Sequence, residues 1–336
     1  MPKTFPQATN AAAPPRRWRD YALLGILVVL VIAGLAGLAA ATGWEETLAA
    51  LSVLTAPEVA LLLVLSLVNY LCRGVRWHLF ATRLGMPTTL IQDLRHFLGG
   101  FAMSVTPGRV GELVRMRWLR RETGWSFERT APLVLVDRAA DLGAMAILLA
   151  LALALSSGGM TGGVPVAAFG IAGAVVATRP KLLRAMGDTG HVLSRKSFPR
   201  LFVRIRRAAK SLAAFHGPVI LMAAAAFGVI GWFAEGYAFH LLLVWMGADI
   251  DLWKAVGIFV FASIVGGLSG APGGLGGAEA AMVALLVLDG APLEVAVPAT
   301  LVIRVTTLWF AIAIGLAVFP AAERLSQRSK DALEGN

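Results

Sequence analysis

Arg138, Asp141, Glu235, Glu279 and Arg304 are ionisable residues set among long apolar runs, and that setting limits the chemistry open to them. A charge in the hydrocarbon core of a bilayer costs about 2.5–3.5 kcal/mol on insertion scales, so such side chains face protein or a water-filled cavity. Arg138 and Asp141 lie three positions apart, share one face of a helix and can pair, with Asp137 adding a second carboxylate. Glu112 and Glu279 are the expected partners of Arg138 and Arg304, since each follows a Pro-Gly pair. Two uses fit these groups: guanidinium forks that grip an anionic group, or salt bridges that lock helices together. Both can hold at once.

The carboxylates sit in two segments built alike. The first runs from Phe101 through Pro107-Gly108-Arg109 and Gly111 to Glu112; the second runs from Leu268 through Pro272-Gly273-Gly274 and Gly276 to Glu279. Arg138 follows Pro107 by 31 positions and Arg304 follows Pro272 by 32, whereas Gly85 precedes Phe97 by 12 and Gly247 precedes Phe259 by 12. Pro107, Gly108, Gly111, Pro272, Gly273, Gly274 and Gly276 are therefore read as helix breaks, which expose backbone tolerated at membrane depth only around a cavity. A helix starting beyond each break aims its positive amino end at that cavity, where an anionic group is the natural occupant. The competing reading, ordinary Pro-Gly loops between spans, stays open, but two copies at matched spacing favour the breaks.

These breaks need membrane-spanning helices to hold them. The 336 residues are 57% hydrophobic and 15% charged, with a mean hydropathy of +0.74, well outside the range of soluble domains. Six full spans are expected at about 21–41, 58–80, 131–155, 164–178, 218–246 and 296–319, with broken re-entrant hairpins at 96–121 and 253–288. The fold class is thus an all-α polytopic membrane protein. It divides into a basic tail at 1–20, one transmembrane domain at 21–320 and a tail at 321–336. The first repeat covers about 58–155 and the second about 218–319. The run after Arg16, Arg17 and Arg19 exceeds a signal-peptide core, so the first helix is expected to be retained.

Charge placement sets the orientation. The segments 42–57, 156–163, 247–252 and 289–295 contain no Lys or Arg, so they face outward and both termini face the cytoplasm of a bacterial inner membrane. The two repeats then have opposite topology, an arrangement whose broken helices meet near the midplane in many transporters. The net charge of +10 is concentrated between spans, which points to anionic headgroups and away from nucleic acid. The loop 179–216 carries a basic cluster over 195–210, and Leu201, Ile205, Ala208, Leu212 and Phe215 recur at helical spacing. It reads either as an amphipathic helix on inner-leaflet headgroups or as a topology determinant without a ligand. Met1–Pro15 and Gln327–Asn336 read as disordered tails.

Other chemistry finds little support. Cys72 is the sole cysteine, the five histidines lack metal-ligand spacing, and neither a metal nor a cofactor is expected. Gly273-Gly274-Leu275-Gly276-Gly277 has no following Lys-Ser/Thr and fits a membrane turn better than a phosphate loop. Trp18, Trp44, Trp77, Trp118, Trp125, Trp245 and Trp253 fall near span ends, as an aromatic belt would.

Arg73-x-x-Arg76-Trp77, Pro107-Gly108-Arg109-x-Gly111-Glu112, Arg138-x-x-Asp141, Pro272-Gly273-Gly274-x-Gly276-x-x-Glu279 and Arg304 together resemble the flippase-like family. That family is named for the transmembrane region of lysyl-phosphatidylglycerol synthase. The resemblance covers most of 21–320 and implies movement of a phospholipid or polyprenyl-phosphate-linked lipid without chemical change. It marks Arg76, Arg109, Glu112, Arg138, Asp141, Glu279 and Arg304 as candidates for a polar cavity, which buried Glu235 joins from its own span. Residues 321–336 do not read as an aminoacyl-transfer domain, so lipid synthesis is not among the expectations carried over. Two other classes share some of these features: a membrane transferase acting on a lipid phosphate, and an ion-coupled solute transporter. The outer loops are too short for the first, and a lateral opening toward lipid would separate the second.

Overall fold

A computed structural model describes residues 52, 54–106, 111–156, 168, 185, 215 and 217–334. Apart from residues 168, 185 and 215, the expected spans at 21–41 and 164–178 and the loop 179–216 lie outside the described residues, as do Pro107, Gly108, Arg109 and the side chain of Glu112. Among the described residues the chain is all helical. In order, the helices are α1 (Ala56–Arg83), α2 (Leu90–Gly99), a 3-10 turn (Gly100–Val105), α3 (Gly111–Thr123) and α4 (Phe127–Leu155). There follow α5 (Pro218–Trp245), α6 (Leu252–Leu268), a 3-10 turn (Pro272–Gly274), α7 (Gly277–Leu288), α8 (Leu293–Arg304), a π turn (Val305–Trp309) and α9 (Phe310–Glu334).

Local sequence explains where these helices start and stop. Thr55 and Glu58 form a capping box at α1, Thr89 and Gln92 another at α2, and Asp251 accepts from the backbone N–H groups of Trp253 and Lys254 at α6. α1 and α5 end in the same turn. Met86 N–H donates to the Ala81 carbonyl and Ala248 N–H to that of Leu243, with Gly85 at φ 79° and Gly247 at φ 80°. This left-handed glycine closes the last helical turn where a Cβ would be strained.

α1, α4, α5 and the stretch Leu293–Leu333 are long and apolar enough to cross a bilayer, the first three being 28, 29 and 28 residues long. Leu61, Val64, Ile147, Val219, Met222 and Val244 are exposed on these helices, where hydrocarbon would cover them. α6 and α7, at 17 and 12 residues, are too short to span alone, as a broken hairpin requires.

The two halves repeat the same element order: a long helix, a short helix, a 3-10 break, a second short helix, then a long helix. Their packing also exchanges. α1 lies along α5; α2 packs on α1 as α6 packs on α5; α4 packs on α6 as α9 packs on α2. Within the closing long helices, Pro132 precedes Arg138 by six positions and Pro298 precedes Arg304 by six.

Two sequence expectations need correction. The tail from Gln327 is helical through Glu334, because α9 continues past Phe319 and is pinned to α3. Glu323 accepts from Trp118 Nε1 at 2.7 Å and pairs with Arg117 and Arg121. Trp77 and Trp118 do not sit in a headgroup belt: they are 1% and 0% exposed, inside the protein. Trp118 is drawn in by Glu323, by stacking on His96 and by an edge-to-face contact with Phe319, Trp77 by packing on Phe97.

α9 approaches the first 3-10 turn at Gly315, where an added Cβ would lie 2.7 Å from the Phe101 carbonyl carbon. Gly315→Ala is expected to destabilise the protein by about 1–3 kcal/mol, read as a lower melting temperature in detergent. Ala313→Ser, at an exposed position on the same helix, is expected to leave it unchanged.

Candidate functional site

A cavity of about 490 Å3 lies where the two halves meet, between the 3-10 turns of both broken segments. Its charged lining comes from five helices: Arg73 on α1, Arg115 on α3, Arg138 and Asp141 on α4, Glu235 on α5 and Arg304 on α8. Phe101, Met145, Phe259 and Leu308 supply apolar wall.

Asp141 is the hub of one side. Its carboxylate receives Arg73 Nη2 at 2.7 Å, Arg76 Nη2 at 2.7 Å and Trp232 Nε1 at 3.2 Å, with Arg138 Nη1 3.6 Å away. Arg76 is fully buried, reaches Asp137 at 2.6 Å as well, and stands behind the cavity wall. The i,i+3 and i,i+4 spacings of Arg73, Arg76, Asp137 and Asp141 put each pair on one helix face, so α1 and α4 meet through a four-membered ionic lattice. Arg73 also lies over the Trp232 ring, 5.1 Å from its centroid.

The other side is built on the second break. Arg304 Nε donates to Glu279 Oε1 at 2.5 Å and Nη2 to the Gly273 carbonyl at 2.7 Å, so one guanidinium ties α8 to both the turn and the start of α7. Gly273 and Gly274 have φ of 61° and 71°, which L side chains rarely adopt, and a Cβ on Gly274 would lie 3.0 Å from the Gly266 backbone. The widened π turn begins directly after Arg304, and there Tyr70 Oη donates to the Thr307 carbonyl at 2.5 Å. α1 is thereby fastened to the turn that orients Arg304.

The structure thus brings Arg138, Asp141, Glu235 and Arg304 to one cavity, and Glu279 to Arg304. Gly273 and Gly274 line it directly. Pairing of Arg138 with Glu112 falls outside the described residues, as does Arg109. Three lining residues escaped sequence reasoning. Arg73 was visible as the first arginine of Arg73-x-x-Arg76, and Trp232 as a neighbour one turn from Glu235. Arg115 lies in the densely basic stretch after Glu112, where nothing separates it from Arg117, Arg120 and Arg121. Its guanidinium lies 4.3 Å from the Phe97 ring centroid and 5.7 Å from those of Trp77 and Phe101. That aromatic cradle explains how a 4%-exposed arginine is tolerated.

Away from the cavity, ion pairs clamp the base of each hairpin. Arg95 pairs with Glu122 at 2.6 Å between α2 and α3, and Lys254 with Asp289 at 2.8 Å between α6 and the end of α7. Burial alone would raise the Glu122 carboxyl; the neighbouring His96 and Arg95 outweigh it and hold the group below the usual carboxylate range.

Residues 22–315 match the family described as "Lysylphosphatidylglycerol synthase TM region". The chain is also similar to two proteins of Methanothermobacter thermautotrophicus, each described as a "UPF0104 membrane protein". One is 33% identical over 91 residues, 27% of each chain. The other is 30% identical over 89 residues, 26% of each chain. Those alignments cover about a quarter of the relatives' own length.

Asp141→Asn would leave part-buried Arg73 beside a neutral partner and Arg76 with Asp137 as its one remaining carboxylate. A loss of about 3–5 kcal/mol is expected, measured as a fall in melting temperature or denaturant midpoint. Unchanged stability would show that Asp141 does not hold α1 to α4.

Proposed function

The chain belongs to the lysylphosphatidylglycerol synthase TM-region family, and from that premise and the chemistry of its cavity we propose that it translocates an anionic lipid across the membrane. The observation that carries this reading is the convergence of Arg73, Arg115, Arg138 and Arg304 on one cavity beside a broken helix. A guanidinium fork holds phosphate bidentately and stays charged when partly desolvated, which suits a phospholipid or polyprenyl-phosphate headgroup. The apolar wall residues in the same cavity suit the first carbons of an acyl or prenyl chain.

An inverted repeat accounts for the rest. The repeated element order and exchanged packing partners support it, and the lopsided distribution of Lys and Arg between loops supports opposite insertion of the halves. In this reading both termini lie in the cytoplasm of a bacterial inner membrane. Interchange of the two halves' conformations exposes the cavity alternately to each leaflet. The lipid crosses unchanged: the cavity groups bind and release a headgroup and break no bond.

Purified protein in liposomes is expected to move a fluorescent anionic lipid between leaflets without nucleotide. Arg304→Ala should cut that rate at least about tenfold, and Arg304→Lys should restore it only in part, because a point charge replaces the fork. The double variant Glu279→Gln, Arg304→Gln removes the buried pair together. A stable, inactive double variant supports headgroup binding; recovered transport would show that Arg304 serves only to neutralise Glu279. Conversion of the lipid to a new species, seen by mass spectrometry, would contradict transport without chemistry.

A further inference from the structure

Glu235 differs from every acid around it. Asp137 and Asp141 are held by arginines of α1, and Glu279 by Arg304. Glu235 is 5% exposed and lines the cavity, yet among the described residues its carboxyl makes no hydrogen bond or ion pair. Each element packed on α5 presents a defined set of groups to this cavity. α1 presents Tyr70 and Arg73; α4 presents Arg138 and Asp141, with Asp137 behind; α6 presents Ser263 and no ionisable group; α8 presents Arg304. On α5 itself Trp232 lines the cavity, and His240 lies five positions on, beside Tyr237. Arg73, Arg304 and Asp141 are the charges that act on Glu235.

We infer that Glu235 is a proton-binding site that fills together with the anionic headgroup, so that the protein carries an anion and a proton as a pair. This rests on the anionic-lipid reading of the cavity. A carboxyl in a poorly solvated cavity escapes the cost of an unpaired charge in one of two ways, with a proton or with an arginine. Arg73 and Arg304 are the arginines whose charge reaches Glu235, and they are also the forks offered to a headgroup. When the headgroup engages them, it withdraws their charge from Glu235 and adds a negative charge beside it. Both effects favour the neutral acid. One proton therefore passes from water at the cavity mouth to a Glu235 oxygen as the headgroup binds, and leaves when the headgroup leaves. By reciprocity, protonation tightens headgroup binding by the same factor. For a headgroup with a single negative charge the loaded cavity gains no net charge, which lowers the cost of moving it through the bilayer.

The test is titration calorimetry of the full chain in detergent with dihexanoyl phosphatidylglycerol, a soluble anionic lipid, in buffers of different ionisation enthalpy. Wild type is expected to take up as much as one proton per lipid bound, with affinity rising by up to about tenfold per unit fall in pH. Glu235→Gln, its neutral state made permanent, should bind with no linked proton and no pH dependence. Glu235→Asp should restore proton uptake, and it carries the test if the Gln variant melts early. Glu235→Gln with wild-type proton uptake overturns the inference, as does pH-independent binding by wild type, and in both cases the anionic-lipid reading survives. Failure of folded wild type to bind the lipid at any pH overturns that reading and this inference with it.

Discussion

An ionised carboxylate in the interior of a membrane protein must be surrounded by donors, and Asp141 meets that requirement with Arg73, Arg76 and Trp232, drawn from two other helices. The rest of the described structure follows from that constraint. α1 and α4 cannot slide past one another without stranding Arg76, which is fully buried and bonded to both Asp137 and Asp141. Holding α1 fixes Tyr70, which ties the π turn, and the π turn sets the start of α9 just beyond Arg304. One ionic lattice thus governs both walls of the cavity. Its cost in desolvation also explains why the arginines there are divided. Arg76 is spent on structure, whereas Arg73 and Arg304 keep one side toward open space in the cavity.

The second half solves the same problem differently. Arg304 satisfies a backbone carbonyl at the break and the carboxylate at the first turn of α7, so the helix start carries both its own partial positive charge and a guanidinium. The ion pairs Arg95–Glu122 and Lys254–Asp289 then hold each hairpin shut at its base, far from the cavity. α9 extends to Glu334 and binds α3 through Glu323.

Much of this was legible in the sequence where composition and spacing act locally. Apolar runs located α1, α4, α5 and the last long helix, and Pro-Gly-Gly located the second break within a residue or two. The Glu279–Arg304 pair was legible because each half carries the same spacing. What escaped depended on tertiary partners. Trp77 and Trp118 sit near span ends in sequence, yet Phe97 covers the first, and His96, Phe319 and Glu323 enclose the second. Arg115 is one basic residue in a basic helix, and only the approach of Phe97 and Phe101 singles it out. The helix beyond Phe319 looks like a polar tail until Glu323 finds Arg117, Arg121 and Trp118, some 200 residues away in sequence.

The central claim is that the cavity between the halves is an anionic-headgroup site. Native mass spectrometry of the protein released from its own membranes tests this most directly. The account predicts an anionic lipid retained by wild type, enriched over its share of the bulk membrane, and lost from Arg304→Gln protein that still melts cooperatively. Retained lipid that mirrors the bulk composition, or that is unaffected by removing Arg304, would contradict it.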